Sequence, residues 1–193
     1  MKSIVVFCGS SEGTDPRFAE QGYVLGKTLA EQEITLVYGG AKIGVMGEIA
    51  RGALDAKGKV IGVIPDFLKT REVFHTDLTE LIVTHDMHER KLKMHDLSEG
   101  IIMLPGGYGT LEEFFEMLTW AQLGLHQYPI GILNTNEFYS QLMNMLAKMV
   151  DQGFVKKENY NMILVDDRIE DLLEQMKNYE PLPVAKWINK EQV

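Results

Sequence analysis

Cysteine is nearly absent from this 193-residue chain: Cys8 is the only one. A single thiol excludes an internal disulfide, so nothing calls for an oxidising compartment, and a cytoplasmic location is expected. Long hydrophobic runs are missing too. None approaches the roughly 18 apolar residues that span a bilayer, so no membrane partner is expected. The N-terminal "MKSIVVFCGSSEG" has one lysine and a short apolar run before Gly and Ser, which reads as a first strand and not as a signal peptide. Basic residues are outnumbered, 19 Lys and Arg against 28 Asp and Glu, for a formal net charge of −9. That balance excludes a general nucleic-acid binder, which needs a basic stripe. It leaves room for one small anionic ligand, held by backbone N–H groups and a few placed cations and not by the overall field. Internal repeats, low-complexity tracts and linkers are also lacking. The chain therefore reads as one domain over residues 1–180, with a Pro-broken tail over 181–193 that packs through Trp187.

What is present alternates. Seven short apolar, often β-branched runs read as strands: 3–8, 34–39, 59–65, 80–85, 100–105, 129–134 and 162–167. Several are apolar on both faces, as parallel strands covered by helices must be. Between them lie segments of helical period, one starting at Pro16, others at 44–57 and 86–98, one starting at Thr110, and two more at 137–151 and about 167–178. The pattern predicts an α/β fold, a doubly wound, Rossmann-like parallel sheet with helices on both faces. Eleven scattered methionines read as core filler.

Three glycine-bearing turns follow three of the strands: "CGSSEGT" after the first, "GGAKIGVMG" after the second and "PGGYGT" after the fifth. Ligands of open α/β sheets sit outside the carboxyl ends of the strands, so three such turns at one edge predict a single pocket. Gly9 and Ser10 of the first turn, and Gly40 and Met46 of the second, are candidate binding positions. Other motifs fail on spacing. "GYVLGKT" at 22–28 has three residues between its glycines where a P-loop needs four, and it falls inside an amphipathic helix. No turn gives G-x-G-x-x-G. His85, His88 and His95 lack the H-E-x-x-H arrangement and read as exposed helix histidines; no metal site is expected.

The third turn carries the most chemistry. Its glycines permit close backbone approach, and the first N–H groups of the helix that follows favour an anion, with phosphate as the natural occupant. "TLEE" is T-x-x-E, a capping box with Thr110 as N-cap and Glu113 reaching back to it, and Glu112 complements the helix dipole. On spacing alone both acids are structural. In "MHERKLKM", Arg90 shares a helix face with Met87 and Met94, so it either snorkels or is committed to a buried anionic partner; Lys91 and Lys93 read as solvated.

Taken together, "MHERK", "PGGYGTLEE" and "TWAQLGLH" (119–126) resemble the LOG ("lonely guy") family, the cytokinin riboside 5′-monophosphate phosphoribohydrolases. The family pattern P-G-G-x-G-T-x-x-E is matched by Pro105, Gly106, Gly107, Gly109, Thr110 and Glu113, and the resemblance spans nearly the whole chain. One departure is Ala41, where many members carry a third glycine. The resemblance implies hydrolysis of the N-glycosidic bond of a nucleoside 5′-monophosphate, cytokinin riboside 5′-monophosphate or AMP, to free base and ribose 5-phosphate. It implies Arg90 and Glu113 as the catalytic pair. For substrate binding it implies Glu72, Lys91, the stretch Gly106, Gly107, Tyr108, Gly109, Thr110, Leu111 and Glu112, and also Thr119. It further implies a homodimer with its sites near the subunit interface, and no organic cofactor or metal. Members have often been labelled lysine decarboxylases, yet nothing in the sequence suggests a pyridoxal-phosphate site.

The chemistry suits such residues. Breaking an N-ribosidic bond builds an oxocarbenium-like charge on the sugar, which a nearby carboxylate stabilises while activating water or attacking covalently. Glu113, at a helix start and beside a cation, is expected to keep a low pKa and stay ionised. Arg90 would orient Glu113 or the ribose hydroxyls. The different class of reading is a nucleotide-binding carrier or sensor on the same fold, with Glu113 as a cap only.

Overall fold

The structure is a computed structural model, described here for residues 1–69, 74, 75 and 77–183. Glu72 and Trp187, two residues singled out in the sequence, lie outside the described residues. All seven expected strands form: β1 (Ser3–Phe7), β2 (Thr35–Tyr38), β3 (Val60–Pro65), β4 (Glu80–Thr84), β5 (Ile101–Met103), β6 (Ile130–Leu133) and β7 (Ile163–Asp166). They pair in parallel in the order β4-β3-β2-β1-β5-β6-β7. The chain winds outward from β1 to β4, then returns beside β1 with β5 and winds out the other way. The β1/β5 boundary is therefore the topological switch point, where open α/β sheets hold ligands.

Among the described residues, eight helices connect and cover the sheet: α1 (Pro16–Glu31), α2 (Gly44–Asp55), α3 (Asp66–Lys69), α4 (Met87–Asp96), α5 (Tyr108–Leu123), α6 (Ser140–Asp151), α7 (Lys157–Tyr160) and α8 (Ile169–Lys177). Alternation along β1 shows why strands of this composition are stable only between two helical layers. Ile4 and Val6 join Leu25 and Leu29 of α1, Ile49 of α2 and Leu172 of α8, while Val5 and Phe7 join Met94 of α4 and Phe114 and Met117 of α5. Each such side chain withdrawn from water contributes roughly 1.5–3 kcal/mol. The glycines of "GYVLGKT" serve this packing, since Gly26 in α1 lets the helix approach the Ile49 carbonyl of α2.

Two short helices were not expected, and two helix starts differ from expectation. The single-turn helices α3 and α7 are too short to show a period. Helix α6 starts at Ser140 and not at 137, because Thr135–Glu137 form a 3-10 turn in which Asn136 and Glu137 take left-handed φ of 52° and 56°. Helix α5 starts at Tyr108, two residues before Thr110. Past α8, residues 181–183 are irregular, and Leu182 packs on the α4/α5 side of the sheet. Among the described residues, no helix is long and apolar enough to cross a membrane.

Candidate active site

The ladder between β1 and β5 continues beyond both strands and sets the glycine turns side by side. Leu104 N donates to Phe7 O at 2.9 Å, and Gly9 N donates to Pro105 O at 3.1 Å. The second turn is tied to the same point, with Met46 N donating to Gly9 O at 3.1 Å. The three turns read from the sequence thus meet at one edge, centred on buried Gly9, with Gly40 buried, Met46 half-buried and Ser10 exposed around it.

Within the third turn the glycines divide by role. A side chain on Gly106 would collide with Thr110 Oγ1 and Gly9 N, so this residue is required by the turn itself. Gly107 and Gly109 have ordinary backbone angles, and a Cβ on either would meet nothing within 4 Å. The fold of the chain does not need glycine at those two places. What glycine supplies there is bare backbone facing open space. Helix α5 starts over the same space with Gly107 as N-cap and no side-chain cap, so its first N–H groups lack intrahelical carbonyls and carry the positive end of the dipole. That is an anion cradle in an acidic protein. Tyr108 stands beside it, 94% exposed.

The capping box does not form. With the helix starting at Tyr108, Thr110 lies inside the first turn, 4% exposed, and Glu113 is a turn too far along to reach an N-cap N–H. The reason is that Gly107 already turns the chain and its carbonyl accepts from Leu111 N at 3.2 Å, so the helix propagates back past threonine. A reciprocal cap does exist one helix earlier. Asp86 accepts from Glu89 N at 2.9 Å, and Glu89 accepts from His85 N at 2.6 Å, fixing the start of α4.

Freed from capping, Glu113 faces α4. Its Oε1 lies 3.0 Å from Arg90 Nη1, and both residues are 8% exposed. Arg90 does not snorkel. Its Nε donates to Val63 O at 3.0 Å, within β3, and its other terminal nitrogen lies over Gly39, where any side chain would displace it. The guanidinium is held from three elements. Burial pushes the Glu113 carboxyl above its usual range, while the positive charge of Arg90 opposes that rise without cancelling it. This corrects the low pKa expected from the helix start and cation, because desolvation outweighs both. The same site keeps Cys8 inert: burial, and then the Glu113 charge, push its thiol far up.

Lys91, expected to be solvated, is also 8% exposed. Its Nζ lies 2.6 Å from Glu112 Oε1 and 3.0 Å from Glu116 Oε2. Burial alone would lower its ammonium; the hydrogen bonds to Glu112 and Glu116 overcome that and hold it above its usual value. His95 is buried as well, not exposed, with its ring among those of Trp120, His126 and Tyr128. Helix α5 supplies the two acids and Trp120, and the segment after it His126 and Tyr128, none of which a one-helix periodicity can see. Leu111 is half-buried against the core. Thr119 is not brought to the turns of its own chain: nine residues beyond Thr110, about 14 Å along the helix, it is exposed and bonds Phe115 O at 2.7 Å. Two contributors were missed in the sequence, Gly39 and the Val63 carbonyl. The doubled glycine at 39–40 was the available signal for the first; nothing marked the second.

Known proteins resemble this chain over most of its length. A family model described as "Possible lysine decarboxylase" matches residues 46–176. The cytokinin riboside 5′-monophosphate phosphoribohydrolase LOG7 of Arabidopsis thaliana is 42% identical over 180 residues, covering 93% of this chain and 83% of the relative. The phosphoribohydrolase of the same name from Rhodococcoides fascians is 42% identical over 178 residues, covering 92% and 90%. Among solved structures, the molybdenum cofactor binding protein of Rippkaea orientalis superposes with a TM-score of 0.69 at 25% identity, covering 92% of this chain and 96% of that one.

Proposed function

The chain belongs to the family of the cytokinin riboside 5′-monophosphate phosphoribohydrolases, and from that premise we propose that it hydrolyses the N-glycosidic bond of a nucleoside 5′-monophosphate. The substrate class is cytokinin riboside 5′-monophosphate or AMP; the products are free base and ribose 5-phosphate. The observation that carries this reading is the buried Arg90–Glu113 pair, set beside a glycine turn that faces open space.

The 5′-phosphate docks on the bare backbone of Gly106 to Gly109 and on the first N–H groups of α5, which needs no net positive charge. The ribose then lies toward Glu113. As the N-glycosidic bond stretches, its electron pair leaves with the base and positive charge grows at the anomeric carbon. The Glu113 carboxylate stabilises that charge and takes a proton from the attacking water, whose oxygen bonds the anomeric carbon; the departing base takes a proton from solvent and Glu113 returns its own there, so one water is consumed. A carboxylate whose pKa has been raised by desolvation is a stronger base than a solvated one, so its burial serves the step. Arg90 holds the carboxylate in place and keeps it ionised.

The label of lysine decarboxylase finds no support in Lys91, the buried lysine among the described residues. A Schiff-base lysine needs a lowered pKa, and this one is raised by two carboxylates. The cytoplasmic location and the homodimer belong to the same proposal. Thr119 and Leu123 lie on one exposed stretch of α5, where a second copy would bring them near another site.

Purified protein is expected to release adenine from AMP or isopentenyladenine from isopentenyladenosine 5′-monophosphate, read by chromatography, with ribose 5-phosphate as co-product. Release of base from neither substrate overturns the reading. The carrier alternative, favoured by the cofactor-binding protein on the same fold, predicts that outcome together with retained nucleotide binding.

A further inference from the structure

The loop after β6, residues 134–139, is built with unusual backbone expense. Asn136 and Glu137 are consecutive non-glycine residues in the left-handed region, at φ 52° and 56°. Such angles persist where the surroundings over-determine them, and they cluster around functional sites. Here the loop is fixed at both ends. Asn136 Nδ2 donates to Asp15 Oδ2 at 3.0 Å, tying the loop to the N-cap of α1, and Tyr139 N donates to Asn134 Oδ1 at 2.7 Å, closing the loop on itself. The Phe138 ring meets Phe18 edge-on, with ring centres 5.4 Å apart.

What this geometry delivers is one side chain. Tyr139 is 3% exposed, and its hydroxyl donates to Leu104 O at 2.8 Å, the carbonyl immediately before Pro105. Burial pushes the phenol far up, so it stays a donor; the backbone N–H of Gly106, acting on the same oxygen, pulls the other way. The Tyr139 hydroxyl thus holds the chain at the carbonyl immediately before Pro105. Proline has no N–H and its φ is fixed, so two carbonyls anchor this turn, that of Pro105, which accepts from Gly9 N at 3.1 Å, and that of Leu104, which accepts from Tyr139. They decide where the Gly106 and Gly107 backbone faces.

We propose that Tyr139 is a positioning residue for the phosphate cradle: from beneath, it fixes the turn whose upper side receives the 5′-phosphate. The inference rests on the phosphoribohydrolase reading and adds to it a residue that touches no substrate. Removing the hydroxyl leaves the buried Leu104 carbonyl unpaired and lets the turn relax. Phosphate contacts are the same in the ground state and the transition state, so their loss raises KM and leaves kcat in place.

The experiment is Tyr139→Phe, assayed with AMP and with ribose 5-phosphate, which carries the phosphate and no base. KM for AMP and the inhibition constant of ribose 5-phosphate are expected to rise together by about tenfold, with kcat within about twofold. A merely structural tyrosine would lower the melting temperature and the active fraction while leaving both constants unchanged, and that result overturns the proposal. Direct calorimetry with ribose 5-phosphate separates this inference from the catalytic one. Wild-type protein that binds it without ever releasing base from a nucleotide sinks the hydrolase reading alone, and the cradle is then judged on the dissociation constants of wild type and variant. Wild-type protein that does not bind it removes the cradle and the proposal with it. If Tyr139→Phe does not accumulate folded, Asn134→Ala, which releases the Tyr139 backbone instead of the hydroxyl, is measured against the same expectation.

Discussion

Arg90 and Lys91 are adjacent on α4, and Glu113 and Glu112 are adjacent on α5, yet the two ion pairs they form lie in different surroundings. One residue along a helix turns the side chain by about 100°. Arg90 therefore points to the sheet edge, where Val63, Gly39 and Glu113 close around it. Lys91 points along the flank of the α4/α5 seam, among Glu112, Glu116 and Trp120. The inner carboxylate is buried and its pKa is raised. The outer one, Glu112, keeps 55% of its side chain exposed. The contrast teaches that charge pairing alone does not make a site. The inner pair has what the outer lacks, a desolvated carboxylate held beside open backbone.

The strongest way to break the comparison is Glu113→Gln. Glutamine keeps the shape and can still accept from Arg90, so folding and phosphate binding should persist, while kcat falls at least about a hundredfold through loss of the carboxylate. Circular dichroism and calorimetry with ribose 5-phosphate check the first half, and initial rates the second. A rate near wild type would return Glu113 to the scaffold.

Next comes Arg90→Lys, which keeps the charge and removes the fork. One ammonium cannot reach Val63 O and Glu113 together while clearing Gly39. A loss in kcat of about thirtyfold is expected, larger than a conserved charge would allow if charge were all that mattered. Equal rates for the two proteins would show that Arg90 acts as a point charge, no differently from Lys91.

These two residues also mark how far the sequence could be read. Seven strands and the edge they share were legible, because a strand buried on both faces announces itself as an apolar β-branched run. The roles of neighbours on a helix were not. The T-x-x-E spacing at Thr110 fits a capping box, but spacing does not know that Gly107 has already started the helix. The period of α4 cannot show that Glu112 and Glu116 wait across the seam for Lys91, nor that Trp120 and His126 receive His95. Burial is a tertiary property, so the rise in the Glu113 pKa was hidden for the same reason. Tyr139 was hidden most completely. Read as part of a helix over 137–151, "NEFYS" gives no sign of a left-handed loop.

The third test uses pH. Catalysis needs Glu113 ionised, and burial raises its pKa, so kcat should be lost as pH falls through a value above the ordinary carboxylate range, about 4.3, by roughly tenfold per unit below it. Arg90→Lys, by loosening the hold of that charge on the carboxylate, should move that limb further up. Stability carries the opposite sign. A carboxyl raised on folding favours the fold most below its unfolded pKa, and that contribution is lost as pH rises through the folded value. An acid limb at or below the ordinary carboxylate range would mean that Arg90, not burial, sets the ionisation of Glu113.

The smallest effect sharpens the outer pair. Lys91→Met keeps the length of the stem and removes the ammonium from between Glu112 and Glu116. Glu112 can turn to water. Glu116, less exposed, is left with an unmatched charge near Trp120, so the melting temperature should fall by a few degrees. KM for AMP should rise by about threefold to fivefold as the neighbouring start of α5 loosens, with kcat nearly unchanged. If kcat instead falls as far as in Arg90→Lys, the two cations act as one unit, and the line drawn between scaffold and chemistry must move outward to include Lys91.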